Sequence, residues 1–428
     1  MTLTRFLHRT TGTAAAATAA LLLLASAGCS SKAGGGDTGD RTGADGVRTG
    51  PGVTSTTLTL GALTDLTGPY ATLGRSVVQA QQLWADEVNA KGGICGRKVE
   101  IRVKDHGYDV QKAVAAYAEL SPEVVALPQV IGSPVMAALL DDLTRDSMLT
   151  FPQAWAGSLL GKEPVQVLGT TYDVDMIAAV DFLTREKGLR AGDTIGHVYF
   201  EGDYGAGALE GSSWAAGKAG LKVTGLKIKA TDTDLSAQVS ALRTAGVKAV
   251  LVSAGPAQTA SLVGVAASRG LDVPVVSSAP GFAPQLMRTP AAPALAGSLH
   301  VVSAAPPVGS DLPGVRAMAA AYGKEFPDSP LDSGVLSGYN AARLMGTGLA
   351  AACEAGDLTR AGVVRAHRAQ SSADAGLGMP QDFSDVARPA SVKTYVLKPD
   401  AEVPGGLVTV EDAREAPGVR AYLDARAG

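Results

Sequence analysis

The sequence predicts an α/β protein of two similar lobes, each a parallel sheet flanked by helices, and three observations carry that expectation. Short apolar or alternating runs are repeatedly followed by stretches with apolar residues at helical spacing. Gly or Gly-Gly closes many of those stretches, as helix ends require. Of 428 residues, 46% are hydrophobic and 18% charged, with 52 Gly and 23 Pro but 5% aromatic, which suits Ala-rich helices and many turns better than a β-sandwich. Lys and Arg number 37 against 41 Asp and Glu, a net charge of -4, so the chain lacks the basic footprint that a nucleic-acid partner needs.

Residues 1–28 read as a secretory signal, with Arg5 and Arg9 ahead of an Ala-rich run that ends in Leu21 to Leu24. Small residues Ala25 to Gly28 lead into Cys29, a pattern that resembles the lipobox of bacterial lipoproteins, in which Cys29 carries the lipid. An ordinary secretory signal with an incidental Cys29 is the alternative. Residues 29–52 are mostly Gly, Ser, Thr and Asp and read as a flexible tether with nothing to bury.

After Val53 the pattern becomes regular. Leu58, Leu60 and Ala62 alternate as a strand, and Val77, Ala80, Trp84 and Val88 form a helical stripe stopped at Gly92-Gly93. Val99, Ile101 and Val103 make a second strand, Ala113, Tyr117 and Leu120 a second helix, and Val124 to Ile131 a buried strand. Ser133-Pro134 reads as an N-cap followed by Pro at the first helical position, and Leu149 to Phe151 starts another strand. The plan then repeats: helix 174–187, strand 194–200, a helix ending near Gly220, and strand, helix, strand, helix, strand over 221–228, 234–243, 249–253, 256–269 and 273–277. Helices at 315–326, 337–355 and about 359–369, with a late strand at 392–397, could complete either lobe.

In open parallel sheets, ligands lie beyond the carboxyl ends of the strands, so the turns there hold the candidates. The turn from Thr64 to Tyr70 offers Tyr70, an aromatic face with a polar tip. Ser133 stands beside the free N–H groups of a helix start, a receptor for an anion, or is simply a structural cap. Trp155 could form an aromatic wall or cover the surface between lobes. Gly205, Gly207 and Gly211 imitate a dinucleotide loop, but with one residue too many.

Catalytic signatures are missing. The histidines, His8, His106, His197, His300 and His367, show no metal-ligand spacing, and no GxSxG is present. His197, within a strand, reads as a hydrogen-bonded structural residue. No metal, no cofactor and no enzyme activity is expected, an exported hydrolase being the remote alternative. With Cys29 set aside, Cys95 and Cys353 are an even pair in an oxidising compartment, either bonded to one another or two buried thiols.

Together these residues resemble the solute-binding proteins of ABC importers, in the leucine/isoleucine/valine-binding type I class. The carriers are Leu63 to Pro69 with Gly74, Val88 to Val99, Asp109 to Val114, Ile131-Gly132-Ser133, and Gly202-Asp203-Tyr204-Gly205. The resemblance implies two Rossmann-like lobes joined by a three-segment hinge, with crossings near 169–173, 302–306 and 379–392. Lobe 1 is then 53–170 plus about 304–380, and lobe 2 is 171–303 plus about 381–428. It also implies a monomer that holds a small solute between its lobes and presents it to ABC permease subunits outside the cytoplasm, anchored by acylated Cys29. A sensor for a signalling partner is the alternative.

The residues expected around the solute are Ser133, Tyr204, Trp155, Tyr70 and, at the first crossing, Asp173. Two departures bear on the ligand: Ala154-Trp155 stands where the family usually has a hydroxyl, and no acid lies near Ala279-Pro280-Gly281 to meet an ammonium. A carboxylate or neutral aromatic solute becomes as plausible as an amino acid.

Overall fold

Two sheets organise the protein, whose computed structural model describes residues 41–427. Cys29, the signal segment and residues 29–40 lie outside the described residues. In chain order the first lobe runs β1 (Arg41–Thr42), β2 (Arg48–Thr49), β3 (Thr57–Thr64), α1 (Ala71–Ala90), β4 (Lys98–Asp105), α2 (Val110–Leu120), β5 (Ala126–Ile131), α3 (Ser133–Arg145) and β6 (Leu149–Gln153). The chain then builds a second sheet through α4 (Tyr172–Glu186), β7 (Thr194–Phe200), α5 (Asp203–Lys218), β8 (Lys222–Ile228), α6 (Ser236–Thr244), β9 (Ala249–Ser253), α7 (Pro256–Ser268), β10 (Val275–Ser278), α8 (Ala292–Ser298) and β11 (Leu299–Ser303). It returns to the first lobe with α9 (Pro313–Glu325), α10 (Ser333–Glu354), β12 (Asp357–Leu358) and α11 (Arg360–Arg368). It ends on the second with β13 (Lys393–Pro399), β14 (Leu407–Glu415) and α12 (Val419–Ala427).

The first sheet has order β4-β3-β5-β6 and is parallel throughout. The second has order β14-β13-β11-β10-β9-β7-β8, parallel from β11 to β8. Its last two strands run antiparallel, so this sheet is mixed rather than purely parallel. The strands β5, β6, β9, β10 and β11 are buried along their whole length, as strands covered by helices on both faces must be. α1 and α10 cross closely because Gly338 and Gly346 carry no side chain: a Cβ on Gly346 would sit 2.4 Å from the Trp84 ring.

Three passages between the sheets converge at Gly169, which adopts φ +76°. Its N–H donates to Gln381 Oε1 at 2.8 Å and its carbonyl accepts from Ser391 N at 3.0 Å, both on the third passage. A Cβ there would lie 2.6 Å from that of Ala304, on the second. Only glycine allows both the conformation and the approach.

Two local expectations are corrected. Residues 41–52 are not tether: β1 and β2 pair as a hairpin, and β2 adds in parallel to β12. What holds them is charge and close fit. The buried Arg97 reaches Asp45 at 2.5 Å and Thr54 O at 2.8 Å, Arg48 meets Asp357 at 3.1 Å, and Gly52 lies against the backbone of Val124. Second, Ser133 is not the N-cap of its helix. Gly132, at φ +102°, takes that place and Ser133 is the first helical residue. Cys95 and Cys353 form a disulfide beside this hairpin, tying the chain after α1 to the end of α10.

Candidate functional site

A cavity of about 350 Å³ opens beyond the carboxyl ends of the strands, with walls from both sheets and from the three passages. From the first lobe come Tyr70, Leu73, Gln153, Trp155 and Asn340. Leu168 to Thr170, Ser303 to Ala305, Met379 and Gln381 form the passage side, and Asp175, Pro256, Ala279, Pro280, Phe282, Ala283 and Leu286 the second lobe. Most of these contacts are apolar, and among the described residues no lysine, arginine or histidine lines the cavity. Such a volume suits an ordinary small ligand.

The cavity narrows inward to a space of about 20 Å³ where Ser133 and Tyr204 lie, bounded by Tyr70, Tyr108 and Tyr172. Tyr172 and Tyr204 pack with centroids 4.2 Å apart and Tyr70 and Tyr108 at 5.2 Å. All four phenols are held above the ordinary tyrosine range, chiefly by burial, so they stay neutral donors. The Tyr204 hydroxyl is 2.6 Å from Ser278 Oγ, and Ser133 and Tyr172 border the same small space. The Tyr70 hydroxyl lies 3.7 Å from where a Cβ on Gly255 of the second lobe would stand.

The structure therefore brings Ser133, Tyr204, Tyr70 and Trp155 together, with Tyr70 and Trp155 on the open volume. Trp155 is fixed by donating Nε1–H to Leu168 O at 2.9 Å and by edge contact with Tyr172. Asp173 is not part of the site. It is fully buried and faces α12, where Oδ2 accepts from Tyr422 Oη at 2.9 Å and from Arg426. Successive positions on a helix diverge by about 100°, so Tyr172 and Asp175 face the cavity and Asp173 does not.

Sequence reasoning missed the two carboxyls that do line it. Asp175, in the first turn of α4, is pushed up to about 7 by burial, against the pull of its hydrogen bond from Thr170. Asp332 caps α10, accepting from the N–H groups of Gly334 and Val335 and from Ser76 Oγ at 3.0 Å, and burial takes it also to about 7. Ser333, Ser337 and Asn340 follow at i, i+4 and i+7, a polar edge on α10 that the spacing alone could have revealed.

The other motifs have structural explanations. Gly205 and Gly211 bring α5 against the backbone of Phe200 and Asp173. His197 lies between Ser212 Oγ at 2.8 Å and Ser253 Oγ at 3.0 Å.

One parallel and one mixed sheet, three passages between them and a cavity at the facing strand ends are the architecture of a two-lobed binding protein. The chain belongs to the periplasmic binding protein family, whose model matches residues 57–402. It is therefore a periplasmic solute-binding protein with the type I fold. It is similar to the fatty acid ABC transporter substrate-binding protein from Thermomonospora curvata, at 49% identity and a TM-score of 0.88 over 90% of this chain and 98% of that one. The branched-chain amino acid ABC transporter protein from Thermus thermophilus with bound valine is 18% identical with a TM-score of 0.76, covering 86% of this chain and 99% of that one. A Leu/Ile/Val-binding protein of Rhizobium johnstonii is 28% identical over 201 residues, 45% of this chain and 53% of that protein. The chain thus matches about half the length of that curated relative.

Proposed function

We propose that this protein is the extracytoplasmic solute receptor of an ABC importer, held at the membrane by acylated Cys29, and that its solute has an extended apolar body of the fatty-acid class. The cavity carries this reading: about 350 Å³ walled mainly by Ala, Leu, Pro, Phe, Met and Trp, a lining that rewards burial of aliphatic carbon more than recognition of a polar skeleton. The likeness to the Thermomonospora curvata protein supports it. Closure of two lobes about the passages at Gly169 would enclose the chain and present it, as a monomer, to permease subunits.

Saturated fatty acids of increasing length, titrated at mildly acidic pH, test the proposal. Each added CH₂ contributes about 0.8 kcal/mol until the cavity is full, so affinity should rise about fourfold per carbon and then level off. Leucine should bind weakly or not at all. Tight leucine binding with no chain-length trend would overturn the reading.

A further inference from the structure

The polar groups around the cavity carry one sign of charge or none. Asp175 enters from the second lobe and Asp332 from the first, and among the described residues no cationic side chain lines the space between them. Near Asp175 stand Asp173 on its own helix, the Thr170 hydroxyl and the neutral phenols of Tyr172 and Tyr204. Near Asp332 stand the Ser76 hydroxyl of α1 and the Tyr322 phenol of α9. Gln153, Asn340 and Gln381, each more than nine-tenths buried, keep amide atoms with no hydrogen-bond partner, namely Oε1, Oδ1 and Nε2. Gln285 Oε1 is a fourth. Buried polar atoms left unpaired in this way ask for a partner. The helix start at Ser133, where a carboxylate would otherwise find N–H groups, is filled by tyrosine rings down to about 20 Å³, room for about one water.

From this arrangement we infer that the cavity takes its ligand with an uncharged, hydrogen-bond-donating head group, met by the amides of Gln153 and Asn340 and by Asp175, and rejects the carboxylate form. A fatty acid then enters as the protonated acid, and a primary amide of the same chain is an equal or better ligand. A carboxylate would face two acids with no counter-ion and bring no donor to the unpaired oxygens of Gln153 and Asn340, with the Gln381 Nε2 donor alone to meet it. The inference rests on the apolar-bodied reading above and specifies its polar end.

The test compares octanoic acid, octanamide and octylamine by calorimetric titration of the full chain at about pH 5.5 and about pH 8.5. Above the ordinary carboxyl range the neutral acid falls about tenfold per pH unit, so octanoic acid should weaken by at least about a hundredfold across this interval. Octanamide should change by less than about threefold. Asp175→Asn, which keeps the Thr170 contact, should recover about tenfold of the lost octanoate affinity at the higher pH. Octanoate binding that equals or exceeds octanamide at both pH values, or octylamine binding tightest of the three, would overturn the inference while leaving the apolar-bodied reading in place. Failure of all three to bind would overturn that reading and this inference with it.

Discussion

Replacing Asp173 by Ala separates a binding role from a structural one. Its carboxylate is wholly enclosed and holds Tyr422 and Arg426 of the last helix onto α4. Removing it strands the Tyr422 hydroxyl, buried at 4% exposure, at a cost of about 1–3 kcal/mol. Arg426 also loses its counter-charge, but at 29% side-chain exposure it can turn toward water, so its share is well under the 3–5 kcal/mol of a fully buried broken pair. The two together give a loss of about 2–4 kcal/mol, read as a lower urea midpoint and a melting temperature down by on the order of 5 °C. Ligand affinity, measured by calorimetry on the folded variant, should stay within about threefold. A variant with unchanged stability and affinity reduced more than about tenfold would refute the assignment and return Asp173 to the site.

Replacing Cys95 and Cys353 together by Ser opens a loop of sequence separation 258 and should cost about 2–5 kcal/mol, seen as a lower guanidinium midpoint that reductant no longer alters. An unchanged midpoint would show that the bond adds nothing. His197 bears on acid stability: burial holds it at about 3 in the folded protein, against about 6.5 when unfolded. Between those values only the unfolded chain takes the proton, so its contribution to stability is complete above about pH 6.5. Stability then falls by about 1.4 kcal/mol per unit as pH drops toward 3. Asp175, shifted upward, gives the opposite slope, so the comparison is between proteins: His197→Gln should lose stability less steeply than the parent from about pH 6 to about pH 4, and equal slopes would refute the argument.

Much of the architecture was legible because each element carries its own stop signal. The strands at 194–200 and 249–253 are continuous or alternating apolar runs between turn residues, and they form at those residues. What escaped was set by long-range partners. β14 reads LVTVEDARE, four of its 9 residues charged, and is a strand because it pairs with β13. Residues 41–52 looked like linker because nothing local shows that Asp45 will find Arg97 or that β2 will find β12.

At the site, aromatic and hydroxyl candidates in turns were readable, whereas Asp175 and Asp332 were not. Their position in the first turn or cap of a helix looks like ordinary helix chemistry until the facing lobe covers it. Two acids in the otherwise apolar start of α4, Tyr172 to Val180, were the available sign that one of them is buried without a cation.

α10 begins at the polar edge of the cavity and carries Cys353 near its other end, beside the strand on which β2 docks. Its 22 residues make a stiff rod about 33 Å long. The ligand-facing edge and the place where the leading segment joins the body must therefore move as one piece. Under the anchoring and closure proposed above, the first lobe would be the jaw held still and the second the one that swings.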